Sequence, residues 1–396
     1  MMDRRKFIKD TALASSLFFV PSFVKAFESI PTVMLGYKRL VIVQLSGGND
    51  GLNTIIPYNN DIYHNARPRL AITKDIIKLN DDLGFNPSLA AIRPLFDNGE
   101  LSIINNVGYP NPVRSHFRSM DIWQSASNAD QYVQSGWLGR YLDTHGTKPY
   151  NAIETDTQLS LALKGEHFNG IATNDYKVLH RTSRDPYFGS VLKHYNDTHL
   201  SEHNLGYLYQ TMIEARSSAM YIYEKTKVKL SQQEYPKTNF GKQLKNVAQF
   251  INSRLETKVF YTALDGFDTH ANQTNIQSRL LSQYAEGMSA FVKDLKRNDT
   301  FNDTLILTFS EFGRRVKQNA ANGTDHGAAN NVFVIGKNLK KAGFYNKLAS
   351  LSDLDDNGDL KYEIDFRTVY ATILSRWLEA DDRLVLNQNF EKLKFI

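Results

Sequence analysis

The sequence has 396 residues, a formal net charge of +5 and no cysteine. The lack of cysteine excludes disulfides, thiolate metal sites and a cysteine nucleophile. A net charge of +3 falls within residues 1–26, so the remainder is near +2 and has no basic stripe that would indicate nucleic-acid binding.

The first residues predict an export signal. Arg4 and Arg5 are followed by Phe7, an aliphatic residue and a lysine, which is the twin-arginine pattern. The apolar stretch at 12–24 is interrupted by serines and is shorter than the roughly 20 apolar residues that span a bilayer.

Small residues near position 26 suit cleavage by signal peptidase. We therefore predict a signal peptide at 1–26 that is read by the twin-arginine translocase. The mature protein, 27–396, is expected to be periplasmic or secreted and to have no transmembrane segment. An amphipathic helix of the domain and an uncleaved anchor are the alternatives for these first residues.

Short aliphatic runs alternate with helical patterns along the rest of the sequence. Strands are predicted at 39–45, 101–107, 258–264, 304–309 and 331–335. Helices are predicted at 86–99, 115–125, 135–146, 275–296 and 365–378. Continuous aliphatic strands are buried on both faces, so this alternation predicts an α/β fold with a mostly parallel sheet sandwiched by helices.

The segment 185–257 is almost wholly helical in pattern, and it is predicted to be an insertion or cap packed on the sheet. No linker or repeat interrupts the sequence. Residues 27–396 are therefore predicted to form a single domain.

Polar, glycine-containing segments follow the predicted strands. They cover 46–53, 265–273 and 310–314, and a further glycine-rich loop covers 323–327. Ligands of open α/β sheets bind beyond the carboxyl ends of the strands, so these loops predict a metal or anion site at one edge of the sheet.

Aspartate and histidine residues in these loops have the pattern of metal ligands. Asp268 and His270 are two residues apart, so in an extended segment their side chains share one side. Asp325 and His326 are adjacent and can both bind an ion only if their loop is bent. Oxygen and imidazole ligands without thiolates suit Zn, Mn, Mg or Ca. Taken singly, an aspartate after a strand is more often a turn or helix cap, and His270 is equally consistent with a surface histidine.

Ser115 is predicted at the start of a helix, where free N–H groups favour an anion or an ionised hydroxyl. It is a candidate nucleophile, and the alternative is a simple N-cap. His116 is predicted to be either the base that activates Ser115 or a metal ligand.

An acidic segment at 353–358 matches the start of a calcium-binding EF-hand loop. The twelfth position of that loop is Ile364, where a bidentate glutamate is needed. An acidic turn is therefore the favoured interpretation.

Several of these motifs occur together, in order, along nearly the whole sequence. They are RR at 4–5, LSGGNDGLN at 45–53, RSHF at 114–117, GFDTH at 266–270, SEFGR at 310–314, GTDHG at 323–327 and DFRTVYATIL at 365–374. In these motifs the sequence resembles the twin-arginine-exported bacterial family catalogued as domain of unknown function 1501. That family is similar in fold to the alkaline phosphatase and sulfatase superfamily.

The resemblance implies roles for individual residues. The implied metal ligands and nucleophile are Asp50 as the first-strand metal aspartate, Ser115 as the hydroxyl nucleophile, Asp268 with His270 as one metal pair, Glu311 in place of a later Asp-His pair, and His326 as the late histidine.

The sequence departs from the superfamily pattern at two points. Thr269 alone separates Asp268 from His270, where three residues are typical, and Phe312 stands where the later pair has its histidine. These departures favour one metal, or a remodelled pair that uses His116, over a complete two-metal site.

The resulting functional prediction is an exported metal-dependent hydrolase that acts on a small phosphate or sulfate ester. Arg314 or Arg114 would stabilise charge in the transition state. The alternative is a non-catalytic exported binding protein that keeps a degenerate metal site. A redox protein is a third possibility, and no cofactor motif favours it.

Overall fold

The computed structural model of the chain describes residues 36–186, 190 and 204–396. The predicted signal at 1–26 and part of the predicted insert at 185–257 lie outside the described residues, so the export assignment stays a prediction. Within the described ranges, no helix combines the length and the apolar character that crossing a bilayer requires.

The strands are short to medium in length. They are β1 (Arg39–Ser46), β2 (Ile55–Ile56), β3 (Ile77–Lys78), β4 (Gly84–Phe85), β5 (Leu101–Gly108), β6 (Ala152–Glu154), β7 (Ile171–Ala172), β8 (Val259–Asp265), β9 (Thr304–Phe309), β10 (Asn330–Ile335), β11 (Gly343–Phe344) and β12 (Ile364–Asp365).

The α-helices lie between these strands. They are α1 (Gly51–Thr54), α2 (Asp61–Ala66), α3 (Arg93–Asp97), α4 (His116–Ser125), α5 (Trp137–His145), α6 (Tyr176–Ser183), α7 (Asn204–Thr226), α8 (Asn239–Asn252), α9 (Gln273–Arg297), α10 (Phe366–Arg376) and α11 (Asp382–Leu386).

The central sheet has the strand order β11-β5-β10-β9-β1-β8-β6-β7, with β12 also paired to β5, and β2, β4 and β3 form a small separate sheet. Strands β9, β1, β8, β6 and β7 pair in parallel. The expected α/β fold with a mostly parallel sheet is confirmed. Strand β10 runs antiparallel to both of its neighbours, a reversal that its aliphatic sequence did not indicate.

Both faces of the sheet are buried, as the continuous aliphatic strands predicted. In β1, Val41 and Val43 pack into a cluster with residues of α8 and α9. The alternate residues Leu40 and Ile42 pack into a second cluster with residues of α4, α5 and α10. Because successive side chains of a strand point to opposite faces, β1 joins two helical layers through one sheet.

Some helix boundaries differ from the prediction. The helix predicted at 86–99 is a 3₁₀ turn, Pro87–Ile92, followed by α3, because Pro94 has no N–H with which to continue one helix. Helix α5 is capped by Gly136, not by Ser135. Helix α8, in the second half of the predicted insert, belongs to the layer that covers the sheet.

Candidate metal centre

The loops that carry the predicted ligands meet at one edge of the sheet. Ser46, at the end of β1, pairs with Asp265, at the end of β8. Strand β9 ends beside them at Phe309. Because β10 is antiparallel, the 310–329 loop leaves this edge and returns to it, which carries the late glycine-rich loop to the same place.

Two glycines allow these loops to touch. At Gly47, where φ is +115°, a Cβ would lie 2.4 Å from the backbone nitrogen of Asp268. At Gly323 a Cβ would lie 2.2 Å from the carbonyl carbon of His270. Any side chain at either position would therefore force the loops apart.

Three imidazoles converge on one carboxylate oxygen. The Nε2 atoms of His116, His270 and His326 lie 3.3, 3.1 and 3.2 Å from Oδ1 of Asp268. The Nε2 atoms of His270 and His326 lie 2.8 Å apart. The side chain of Asp268 is 49% exposed, so the cluster opens to solvent. We call these four residues the Asp268 cluster.

The opposite nitrogen of each ring has its own partner. Nδ1 of His116 lies 2.9 Å from Oε1 of Glu311, and Nδ1 of His270 lies 3.3 Å from Oδ1 of Asp325. Nδ1 of His326 lies 2.7 Å from a backbone carbonyl, that of residue 114. Since a carbonyl or carboxylate oxygen only accepts, each Nδ1 donates to its partner. A neutral ring then presents a lone pair at Nε2, whereas a protonated ring donates from Nε2 to Asp268.

With the rings neutral, the cluster gathers acceptor atoms that face one another, and Nε2 of His116 is buried without a hydrogen-bond partner. The ligand atoms of His116, Asp268 and His326 all lie within 4.8 Å of one another. A tetrahedral zinc ion with bonds of about 2.0–2.1 Å separates its ligand atoms by about 3.3 Å, close to the spacing found here. A divalent cation fits this arrangement, and the Nδ1 partners match those that orient metal-bound histidines.

Charges around the cluster favour an ionised aspartate. Partial burial opposes ionisation of Asp268, but hydrogen bonds from Arg314 and His326 outweigh it and hold the pKa of Asp268 well below its usual range. The hydrogen bond to Glu311 raises the pKa of His116. Burial lowers the pKa of His326, which favours its neutral form.

His116 is the first residue of α4, and packing fixes this helix. The ring of Trp123 stacks on Phe309 and Phe366, with centroids 4.7 and 4.3 Å apart. Of the two predicted roles for His116, the geometry matches metal ligation. Nδ1 of His116 is bonded to Glu311, and Nε2 faces Asp268, which is the arrangement of a ligand atom with a supporting carboxylate.

Ser115 is the N-cap residue of α4, but its side chain makes no capping hydrogen bond. The residue is exposed. Its hydroxyl is therefore positioned beside the first turn of a helix whose early N–H groups are uncapped by any side chain. The predicted place of Ser115 at the start of a helix agrees with the structure, and its role as a nucleophile stays a prediction.

Asp50 is not brought into the cluster. It is fully buried, and one carboxylate oxygen accepts from Nη1 of Arg67 at 2.6 Å and from the side-chain amide of Gln273. The other oxygen accepts from the backbone N–H groups of Leu52 and Asn53. With both oxygens engaged, Asp50 caps α1 and neutralises a buried arginine instead of facing an ion.

Glu311 and Asp325 also lie outside the ligand positions expected for them. Glu311 is buried and accepts from Nδ1 of His116 and, at 2.8 Å, from the backbone N–H of Gly47. Asp325 accepts from His270 and from the side chain of Asn319. Each carboxylate accepts from the Nδ1 of a cluster histidine and so orients that ring.

The two arginines expected to stabilise a transition state are engaged elsewhere. The buried guanidinium of Arg314 donates to Asp268 at 2.8 Å and to the carbonyls of Gly47, Gly48, Phe267 and Thr324. Arg314 therefore ties three loops together and orients Asp268.

Arg114 pairs with Asp355 and Asp359 at 2.9 and 2.7 Å, in the segment that resembled a calcium loop. Asp355 also accepts the backbone N–H of Asn357, which is the geometry of an acidic turn. This turn fixes Arg114, whose carbonyl orients His326.

Sequence reasoning missed two supporting residues. The ring of Phe312 packs against His116 and His326, with centroids 4.9 and 4.7 Å away. Asn319 donates to the carbonyl of His270 at 2.9 Å. The position of Phe312 next to the glutamate of the SEFGR motif could have indicated its role, whereas Asn319 lies in no motif that the sequence analysis singled out.

The fold and the site together define an α/β protein with a candidate histidine-rich metal centre at the carboxyl edge of its sheet. The chain belongs to the family described as Protein of unknown function (DUF1501), whose sequence model matches residues 98–388. No curated protein matches the sequence.

Solved structures show weak similarity to this chain. The C-terminal periplasmic domain of EcEptC from Escherichia coli has 12% identity and a TM-score of 0.40, with 92% of each chain covered. A protein in the alkaline phosphatase superfamily from Vibrio parahaemolyticus has 12% identity and a TM-score of 0.31, covering 78% of this chain and 62% of that chain. The PsFucS1 sulfatase from Pseudoalteromonas sp. has 11% identity and a TM-score of 0.37, covering 94% and 73%. Scores this low support no inference about activity.

Proposed function

We propose that this chain is an exported metal-dependent hydrolase of phosphate or sulfate esters. The observation that carries the proposal is the convergence of three imidazole Nε2 atoms and one carboxylate oxygen at the solvent-exposed edge of the sheet. Zinc is the ion that this donor set suits best, because imidazole favours Zn over Mg and Ca. Bound there, the ion would act as a Lewis acid and lower the pKa of an oxygen nucleophile.

The charge of the cluster supports an anionic substrate. His116, His270 and His326 are neutral ligands, and Asp268 is the only anion among the four residues. A divalent ion held by this set leaves a net charge of about +1, which favours a phosphate or sulfate oxygen as a fifth ligand.

The protein residues around the ion have separate tasks. Asp268 and the three histidines would hold it, while Glu311 and Asp325 keep the rings in the orientation that ligation needs. Ser115 would supply the attacking hydroxyl at the N-terminus of α4, where the helix dipole favours negative charge on the oxygen and on the bound ester.

Metal content and hydrolysis, measured together, test this proposal. The full chain is purified after native export, analysed for metals and assayed on aryl phosphates and aryl sulfates. We expect about one zinc per chain and hydrolysis of at least one ester class. Asp268→Ala and His270→Ala should each remove the metal and the activity.

Asp353→Asn is the matched control, because Asp353 is 72% exposed and outside the cluster. Ser115→Ala should keep the metal and lose hydrolysis. Full metal occupancy in both cluster variants would overturn the proposal.

The second candidate is an exported binding protein with no catalysis. It is favoured by Arg314, whose guanidinium is committed to backbone carbonyls and Asp268 and is therefore withdrawn from any substrate. A protein that binds metal and inorganic phosphate but hydrolyses no ester in the panel would support this candidate over the hydrolase.

Export is proposed on the N-terminal pattern. Replacing Arg4 and Arg5 together by lysine keeps the charge but removes the twin-arginine pair. The variant should accumulate in the cytoplasm, whereas the unaltered chain should reach the periplasm. Equal export of both forms would contradict the assignment.

A further inference from the structure

One aromatic side chain that is adjacent in sequence to the Asp268 cluster is exposed to solvent. Phe117 directly follows the ligand candidate His116 in α4, and it is 87% exposed. Among the large hydrophobic side chains in the described part of the chain, none is more exposed. Burying a phenylalanine side chain is favourable, so its exposure leaves an apolar surface available to a ligand.

The exposed aromatic residues are not scattered. Of the exposed large hydrophobic residues that the structure describes, two are aromatic. Phe117 lies in α4, and Tyr132 contacts α4 through Arg118. The aliphatic ones lie elsewhere: Ile62, Val178, Ile213, Val228, Leu230 and Leu384. Aromatic surface is therefore concentrated around the helix that provides His116.

The position of Phe117 in the helix places its side chain near the helix start. Phe117 is the second residue of α4 and directly follows His116, so the Cα atoms of these two residues are about 3.8 Å apart. Because each Cα–Cβ bond of an α-helix tilts toward the N-terminus, the Phe117 side chain leans toward the end of α4 that carries Ser115 and His116.

The segment that follows α4 is held against this helix. Arg118 donates to the carbonyls of Asn128, Ala129 and Gln131, and its guanidinium lies 4.0 Å from the centroid of the Tyr132 ring. Tyr132 therefore adds a second exposed aromatic ring that is fixed to α4.

We propose that Phe117 is a specificity-determining residue that contacts the apolar part of the substrate. The substrate class is an anionic ester with a bulky aromatic or aliphatic group: its charged head binds at the Asp268 cluster and its apolar group packs on the Phe117 ring. This inference rests on the proposed function.

Two ligands that share a head group separate the contributions. The metal-loaded full chain is titrated with inorganic phosphate and with phenyl phosphate. The unaltered chain should prefer phenyl phosphate. Phe117→Ala should weaken phenyl phosphate binding by about 2–10-fold and leave inorganic phosphate unchanged, because an aromatic contact contributes about 0.5–1.5 kcal/mol.

Phe117→Leu should retain part of the preference. Leu230→Ala is the control, because Leu230 is also exposed but follows α7 and is not adjacent to a residue of the cluster. Metal analysis of each variant confirms that it is folded and loaded.

The outcomes are separable. If the unaltered chain binds neither ligand, the proposed function fails and the inference fails with it. If inorganic phosphate binds but the phenyl group adds nothing, or if Phe117→Ala weakens both ligands equally, the inference alone is overturned. Loss of binding to lipid vesicles in Phe117→Ala, without any change for phenyl phosphate, would assign the residue to a membrane surface and overturn it too.

Discussion

Asp50 and Asp268 both follow buried strands of the central sheet, yet their surroundings are opposite. Asp50 is fully buried and paired with the permanent cation of Arg67, and its remaining lone pairs accept from N–H groups. Asp268 is half exposed, and its Oδ1 accepts from Arg314 and also faces the Nε2 atoms of three histidines. Both oxygens of Asp50 are occupied by protein donors, whereas Asp268 opens to solvent among imidazole nitrogens that are able to bind a metal ion.

The position of an acidic residue after a strand therefore does not decide its role. Its hydrogen-bonding partners and its access to solvent decide it. The following predictions alter a histidine beside Asp268, Asp50 itself, a third carboxylate at a strand end, and the carboxylate that orients His116.

The largest expected effect is loss of the metal on removing one imidazole of the cluster. His326→Ala removes the ring that faces both His270 and Asp268, so the variant should bind no stoichiometric metal. His167→Ala, at an exposed histidine outside the cluster, should keep the full metal content. Elemental analysis of protein purified after export measures both. Equal metal in the two variants would place the ion elsewhere.

The second-largest expected effect is a loss of folding stability without a change in metal binding. Asp50→Asn keeps an oxygen for the N–H groups at the start of α1 but leaves the buried guanidinium of Arg67 unpaired. The free energy of unfolding of the metal-free chain should fall by about 3–5 kcal/mol, as urea titration measures. The metal affinity of the folded variant should be unchanged. Loss of metal with unchanged stability would show that the two aspartates have been assigned the wrong way round.

Glu154 extends the comparison, because it is a buried carboxylate at the end of β6 in which desolvation outweighs the charge of nearby Lys164. Burial raises the pKa of Glu154 to about 7, from 4.5, so the folded state keeps a proton that the unfolded state releases. Between these two pH values the folded chain binds more protons than the unfolded chain, and stability therefore falls as pH rises through this window.

Glu154→Gln is neutral at every pH and should lose this dependence. Relative to the unaltered chain, the variant should gain about 3 kcal/mol between pH 4 and pH 8, since one pKa unit corresponds to about 1.4 kcal/mol. The amide oxygen can still accept the backbone N–H of Ser160, which lies 2.7 Å from the carboxylate. Parallel stability curves for the two proteins would show that Glu154 ionises normally.

The strands were largely predictable from sequence, because a continuous aliphatic run is typical of a strand buried on both faces. The strand predicted at 304–309 has those bounds in the structure. The direction of β10 was not predictable, since side-chain composition is the same for either direction. That direction is what returns the 310–329 loop to the site edge.

The grouping of Asp268, His270 and His326 followed from loops expected at one edge. The hydrogen-bond partners of these residues could not be predicted, because they lie far away along the sequence. His116 could be a base or a ligand until Glu311, 195 positions later, was placed on its Nδ1. Asp50 was indistinguishable from a ligand until Arg67 was seen beside it.

The smallest expected effect concerns the carboxylate that supports the cluster from behind. Glu311→Gln keeps the shape of the side chain and an oxygen that can accept from Gly47 and His116, but it removes the negative charge. The imidazole of His116 becomes a weaker ligand, so zinc affinity should fall by about 10–100-fold, with about one ion still bound at saturation. Competition with a chelator measures this shift, and Glu286→Gln, at an exposed glutamate, is the control. A complete loss of zinc would instead make Glu311 a ligand, as the family resemblance implied, and would contradict the supporting role that its geometry gives it.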